Sequence, residues 1–207
     1  MAIYYKEKES LQDFYTFWQQ IFPALEDFHT AWIAKNAKVL HLKKGQILFE
    51  APEEQKNLYI VLRGILVKEI YSVAGDKKQI LAVAMPMMGF FTTMYYDSQS
   101  PALGNIVAIN QGITLQIPYK KIKPFYNNDK GIDTLLNLLI GKNKDQLDHL
   151  RFMDTNSTIK DRLFYLAGHL PELYHNLTQN ELARLLHVSE SSIFRAKKRL
   201  LKRNERP

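Results

Sequence analysis

Apolar side chains change their spacing along this chain, and each change predicts a different kind of element. Over residues 1–36, Leu11, Phe14, Phe17, Trp18, Ile21 and Phe22 recur every three or four positions; Pro23 interrupts them, and Leu25, Phe28, Trp32 and Ile33 resume. That interval predicts helix with an aromatic-rich face turned to a core. From Val39 to Ile117 the runs shorten to VLHL, QILFE, LYIVL, ILVKEIY, KQILAVA, NIVAI and ITLQI. Turn residues separate them: Lys44-Gly45, Ala51-Pro52, Arg63-Gly64, Gly75-Asp76, Pro86 and Gln111-Gly112. Short strands at such intervals predict an antiparallel sandwich or barrel. Residues 119–153 return to helical spacing, with Ile132, Leu135, Leu136, Leu139, Leu147, Leu150 and Met153 in one stripe and Lys142, Lys144, Asp145 and Asp148 outside it. The remainder predicts a helix at DRLFYLAGHL, a stop at Pro171 and two further helices. The fold class expected is α+β.

The last two helices carry the most specific signal, in TQNELARLLHVSESSIFRAKKRL (178–200). Thr178 and Glu181 have the spacing of a capping box, in which hydroxyl and carboxylate each satisfy a backbone N–H at a helix start. Leu182, Leu185 and Leu186 give a short apolar stripe, His187-Val188 interrupts it, and Ser189 is a ready N-cap for a second helix. At 100° per residue, Ile193, Ala196 and Leu200 share one face, with Ser191, Ser192, Arg195, Lys198, Arg199 and Lys202 on the other. Two short helices joined tightly, the second presenting hydroxyls and cations, form the pattern of a DNA-reading helix-turn-helix. Small Ala183 suits a close helix crossing, and Val188 and Ile193 suit its apolar anchors. A glycine would serve the turn best, yet histidine tolerates a positive φ better than most residues.

Charge sharpens this picture. The 207 residues carry a formal net charge of +7, and from Arg195 to Arg206 seven basic side chains face Glu205 alone. Such a cluster suits an anionic polymer bound through phosphate contacts and counterion release. With no cysteine there is no disulfide framework, iron–sulfur cluster or thiolate zinc site. MAIYYKEKES lacks a signal-like apolar run and no uninterrupted apolar stretch reaches membrane-spanning length, so a soluble, cytoplasmic chain without membrane partners is expected.

The order of KKGQILF and LYIVLRGILV, a long helix and a helix-turn-helix resembles the CRP/FNR family of bacterial transcription regulators over essentially the whole chain. LYIVLRG and GDKKQIL look like consecutive strands of that family's cyclic-nucleotide-binding β-roll, and ITLQIPYKKI like its last strand leading to the dimer helix. The resemblance implies a helical lead-in and antiparallel β-roll (a double-stranded β-helix) over 1–118, a dimerisation helix over 119–153 and a helix-turn-helix domain over 154–207. It implies double-stranded DNA and a second copy of the chain as partners, and a contact with RNA polymerase. By position, Glu190, Ser191 and Arg195 would read bases, with Ser189 and Ser192 near phosphates; Thr178, Gln179, Lys198, Arg199 and Lys202 complete the expected DNA-binding set. Family members often bear Arg and Glu where this chain has Glu190 and Ser191, so a different operator is expected. Most also finish with a β-hairpin wing, whereas this chain stops seven residues after Leu200.

The effector site departs as well. The family's cyclic-nucleotide members mark their phosphate cassette with a Gly-Glu pair and a later Arg-Ser; the corresponding positions fall near Phe91-Thr92 and Ala102-Leu103, and no arginine occurs between Arg63 and Arg151. An enclosed phosphate with no cationic partner costs several kcal/mol in desolvation, so cyclic AMP is not the expected effector. The Met- and aromatic-rich segment MPMMGFFTTMYY (85–96) leaves two readings: a small apolar effector held by Met88, Phe90, Phe91, Thr92 and Thr93, or, with more weight, a collapsed pocket filled by its own side chains. Haem lacks a convincing axial ligand, since His41 and Met85, Met87, Met88 or Met94 are the only candidates. Neither cofactor nor metal is expected. The six histidines are scattered rather than clustered as in a cupin, and neither a nucleophile motif nor a glycine-rich phosphate loop occurs, so no enzyme is expected. A roll that senses or binds a partner without DNA is the alternative.

Overall fold

The computed structural model describes residues 2–54, 56–71, 77–91 and 103–204, with side chains placed from Lys6 to Lys198 within those ranges. The chain divides into two compact units, residues 1–68 with 83–143, and residues 69–82 with 144–207. Among the described residues no helix is long and apolar enough to cross a membrane.

The first unit opens with the expected helices, α1 (Ala2–Ile21) and α2 (Asp27–Asn36). Phe14 and Trp18 of α1 are fully buried, as the aromatic stripe requires. Eight strands follow: β1 (Lys38–Leu42), β2 (Ile47–Phe49), β3 (Asn57–Arg63), β4 (Leu66–Tyr71), β5 (Lys78–Ala84), β6 (Gly89–Phe90), β7 (Asn105–Ala108) and β8 (Gly112–Pro118). They form two four-stranded sheets, β1-β8-β3-β6 and β2-β7-β4-β5. In the first sheet β8 is the spine: Leu40 of β1 opposes its Thr114 and Ile60 of β3 opposes its Leu115, both pairs antiparallel. The turn Arg63-Gly64 is a place where glycine is needed. Gly64 has φ of +88°, and a Cβ there would lie 2.9 Å from the Gln111 carbonyl oxygen.

Helices α3 (Tyr119–Ile122) and α4 (Lys130–Thr155) come next, so the helical stretch expected over 119–153 is broken between 123 and 129. Asp129 starts α4, its Oδ1 accepting from the Ile132 N–H at 2.8 Å. A local knot holds this start. The Trp18 indole N–H donates to the Gly131 carbonyl at 3.1 Å, and His29 Nδ1 accepts from the Glu26 N–H while its Nε2 lies 3.2 Å from Asp129. The α4 stripe divides along its length. Such a stripe can face its own domain or a second copy; its first half, Ile132, Leu135, Leu136 and Leu139, packs into this unit's own core with Leu58, Ile60, Leu115 and Ile117. The lead-in helices create that core by adding Phe14, Trp18, Trp32 and Ile33 beside the sheet. Lys142, expected outside the stripe, lies with its ammonium 4.6 Å from the centre of the Phe17 ring.

Strand β6 is a further difference. It arises inside the segment read as an effector candidate, and a two-residue strand is too short to leave a periodic signal. The expected turn at Gly75-Asp76 lies outside the described residues.

The second unit combines residues 69–82, which hold the end of β4 and most of β5, with the end of α4, α5 (Ile159–His169), α6 (Pro171–Asn176), α7 (Gln179–Leu185) and α8 (Glu190–Asn204). Helix α5 ends at His169, in keeping with the stop expected at Pro171, and Pro171 also takes the first turn of α6, where its missing N–H costs nothing. Leu150, Met153, Leu163, Leu166, Leu173, Leu182, Leu186 and Ile193 are buried in this unit. The Arg162 guanidinium closes the end of α4, donating from Nε to the Asn156 carbonyl at 2.8 Å.

Candidate nucleic-acid interface

The interface begins at Thr178. Its hydroxyl accepts from the Glu181 N–H at 3.3 Å, while its own N–H donates to the Glu181 carboxylate at 2.8 Å. The reciprocal capping box fixes where α7 starts, and Leu182 and Leu185 are buried as its stripe predicts. The helix ends at a tight turn closed by the Val188 N–H donating to the Ala183 carbonyl at 3.0 Å. His187 sits in the left-handed region at φ +56°, the conformation for which a glycine would be preferred. Ser189 then caps α8, its hydroxyl accepting from the Ser192 N–H at 3.2 Å. Ile193 and Ala196 are buried, and Ala183 beneath them is small enough to let α7 and α8 approach.

The opposite face of α8 is outward. Ser189, Glu190, Ser191, Arg195 and Lys198 are exposed and Ser192 half-buried. Hydroxyl contacts join Ser189 to Ser191 at 3.0 Å and to Ser192 at 2.8 Å, so three hydroxyls cluster at the first turn. One turn on, the Arg195 guanidinium lies along the helix, within 3.4 Å of the Ser191 carbonyl and the Ser192 hydroxyl. Both contacts are long, leaving the group free to swing toward an anion. The side chains of Arg199 and Lys202 lie outside the described residues.

Gln179 and Glu190, both in the expected set, are engaged with each other. The Gln179 amide donates to the Glu190 carbonyl at 3.1 Å, and the Asn180 amide lies 3.5 Å from the Glu190 carboxylate. These contacts staple α7 to the start of α8. Sequence reasoning assigned Gln179 to DNA and did not identify Asn180; the eleven-residue separation of Gln179 and Glu190 leaves no local signal. It also left unplaced Lys197, whose ammonium lies 5.2 Å from the Tyr174 ring, and Phe194, which is 57% exposed.

The effector candidates divide. Met88 and Phe90 are buried side chains, and β6 pairs Phe90 with Tyr59. Phe91 is half-buried, and Thr92 and Thr93 lie outside the described residues. On β4, burial lowers the Lys68 ammonium below its ordinary value, and among the described residues no carboxylate pairs with it. No group of three His, Cys, Asp or Glu side chains among the described residues could hold a metal.

The family called "Cyclic nucleotide-binding domain" matches residues 39–129, from β1 to the cap of α4. The HTH-type transcriptional regulator ArcR of Staphylococcus aureus (strain Newman) is 25% identical over 138 residues, which are 64% of this chain and 55% of the relative. The chain thus spans little more than half the length of that relative. A cyclic nucleotide-binding domain containing protein from Listeria monocytogenes EGD-e superposes with a TM-score of 0.68 at 13% identity, over 94% of this chain and 91% of the other. A transcriptional regulator of the crp/fnr family from Eubacterium rectale gives 0.65 at 17% identity, over 88% and 87%. At such identities the two superpositions speak for the fold. Residues 39–129 match the cyclic nucleotide-binding domain family, and the chain shares its fold with the Listeria and Eubacterium proteins.

Proposed function

We propose that this chain is a DNA-binding transcription regulator of the CRP/FNR type, acting as a homodimer on a pseudo-palindromic operator. One observation carries the reading. Helix α8 is capped at Ser189 and anchored by Ile193 and Ala196, and it turns Ser191, Arg195 and Lys198 outward on one face. A rigid helix with small hydroxyls in its first turn and cations one turn later can enter a major groove, read base edges and neutralise phosphates. Glu190, Ser191 and Arg195 are the base readers in this account, Ser189 and Ser192 lie near phosphates, and Lys198 adds sequence-independent attraction. Dimerisation places two such helices one turn of DNA apart. A contact with RNA polymerase follows if the outcome is activation.

Selecting bound fragments from a random duplex pool tests the reading. The expected product is an inverted repeat with half-sites separated by about one helical turn. Recovery of fragments with neither enrichment nor symmetry would overturn it.

The effector of this regulator is not cyclic AMP. The reading rests on the absence of arginine between Arg63 and Arg151 and on the burial of Met88 and Phe90. Isothermal titration with cyclic AMP and cyclic GMP should show no saturable heat, and a constant in the micromolar range or tighter would refute this.

A further inference from the structure

A second basic element lies beside the reading helix. Within the second unit, Glu69 of β4 is buried and takes two cations: the Arg184 guanidinium of α7 and the Lys78 ammonium of β5, the latter at 3.5 Å. Burial lowers the Arg184 guanidinium from its ordinary value, so the pairing takes place in partly desolvated surroundings. It fixes the strand pair to α7. Beside it an open cleft of about 570 Å³ is lined by Lys77, Lys78, Arg184, His187, Ser189 and Glu190. Lys77 is exposed and, among the described residues, makes no ion pair. Glu190, which also lines the cleft, would repel a phosphate approaching the start of α8; Lys77 and Lys78 offset it.

We infer that the β4–β5 strand pair is part of the DNA-binding surface, with Lys77 contacting a backbone phosphate beside the N-terminus of α8. The inference rests on the proposed DNA-binding function and extends its surface to residues far from it in sequence. Glu69 and Arg184 act as the anchor and Lys77 as the contact. Because the contact is to phosphate, it adds affinity on every sequence and selects none.

Binding of the full chain to a labelled mixed-sequence duplex, longer than the helix-turn-helix footprint, tests this across a sodium chloride series. Lys77→Ala should reduce the steepness of the log–log salt dependence by about 0.9 and weaken binding about fivefold to tenfold near 0.1 M salt. Lys77→Arg should restore both. Glu69→Gln, which releases the anchor, should reproduce the loss in part without changing the base preference selected from a random pool. An unchanged slope in Lys77→Ala, alongside weakened binding in Arg195→Ala, overturns the inference and leaves the reading helix intact. Tighter binding by Lys77→Ala overturns it too, because the strand pair would then compete with DNA. If the unaltered chain binds no duplex at any salt, the DNA-binding reading itself has failed and this inference falls with it.

Discussion

The two units are held together by different physics. The first buries its large aromatics: Phe14, Trp18 and Trp32 share a core with the sheet residues Leu58, Ile60, Leu115 and Ile117. The second leaves Phe152, Phe164 and Phe194 at 57%, 71% and 57% exposure and relies on smaller side chains for its core. It also uses polar fastenings throughout: the capping boxes and caps at Thr158, Thr178 and Ser189, the Arg162 contacts with Asn156 and Asp154, and the Glu69 cluster. A unit closed by apolar burial resists small changes and responds strongly to lost volume. One closed by caps and ion pairs frees its outward side chains for other work and answers to salt. Under the proposed function, this contrast fits a rigid first unit and a second unit whose outward side chains meet DNA.

The contrast can be broken at its strong end first. Trp18→Ala should cost about 3–5 kcal/mol in urea unfolding, because it removes a fully buried ring and the indole bond to Gly131. Next comes recognition. Arg195→Ala should lose about 1–3 kcal/mol of duplex binding and relax one operator position, with unfolding unchanged. Thr178→Ala removes one cap and should cost about 1 kcal/mol, visible as a lower melting temperature. A Thr178 effect equal to that of Trp18 would erase the distinction between the units.

The smallest effect concerns Lys68. Burial holds its ammonium below the ordinary 10.5, so above the folded value the folded chain has released a proton that the unfolded chain still binds. Stability from this residue therefore rises with pH through that window and is fully penalised below it. Lys68→Met should raise the melting temperature by about 1–2 °C at neutral pH, with the gain shrinking as pH approaches 10.5. A gain that grows with pH would contradict the assignment.

Most of the strand order and the helix-turn-helix could be read from spacing, since each depends on signals within a few residues. Thr178 and Glu181, or Ile193 and Ala196, need nothing beyond their own helix to declare a role. What escaped was non-local. The half of α4 between Ile132 and Leu139 carries a stripe that equally suits a second copy or its own core, and only the packing of α1 and α2 decides. Strand β6 is held by β3, its partner some thirty residues earlier, and its two residues repeat nothing. The engagement of Gln179 with Glu190, and of Glu69 with Arg184, joins positions on different elements. Pro171 reads equally as the end of one helix or the first turn of the next.

The central claim is that the outward face of α8 meets duplex DNA, and protection of a single lysine tests it. Amine labelling of the chain with and without duplex should show Lys198 shielded by DNA, while Lys38 on β1 and Lys130 at the start of α4 react at unchanged rates. Equal labelling of Lys198 in both states, under conditions where the duplex is bound, would contradict the account.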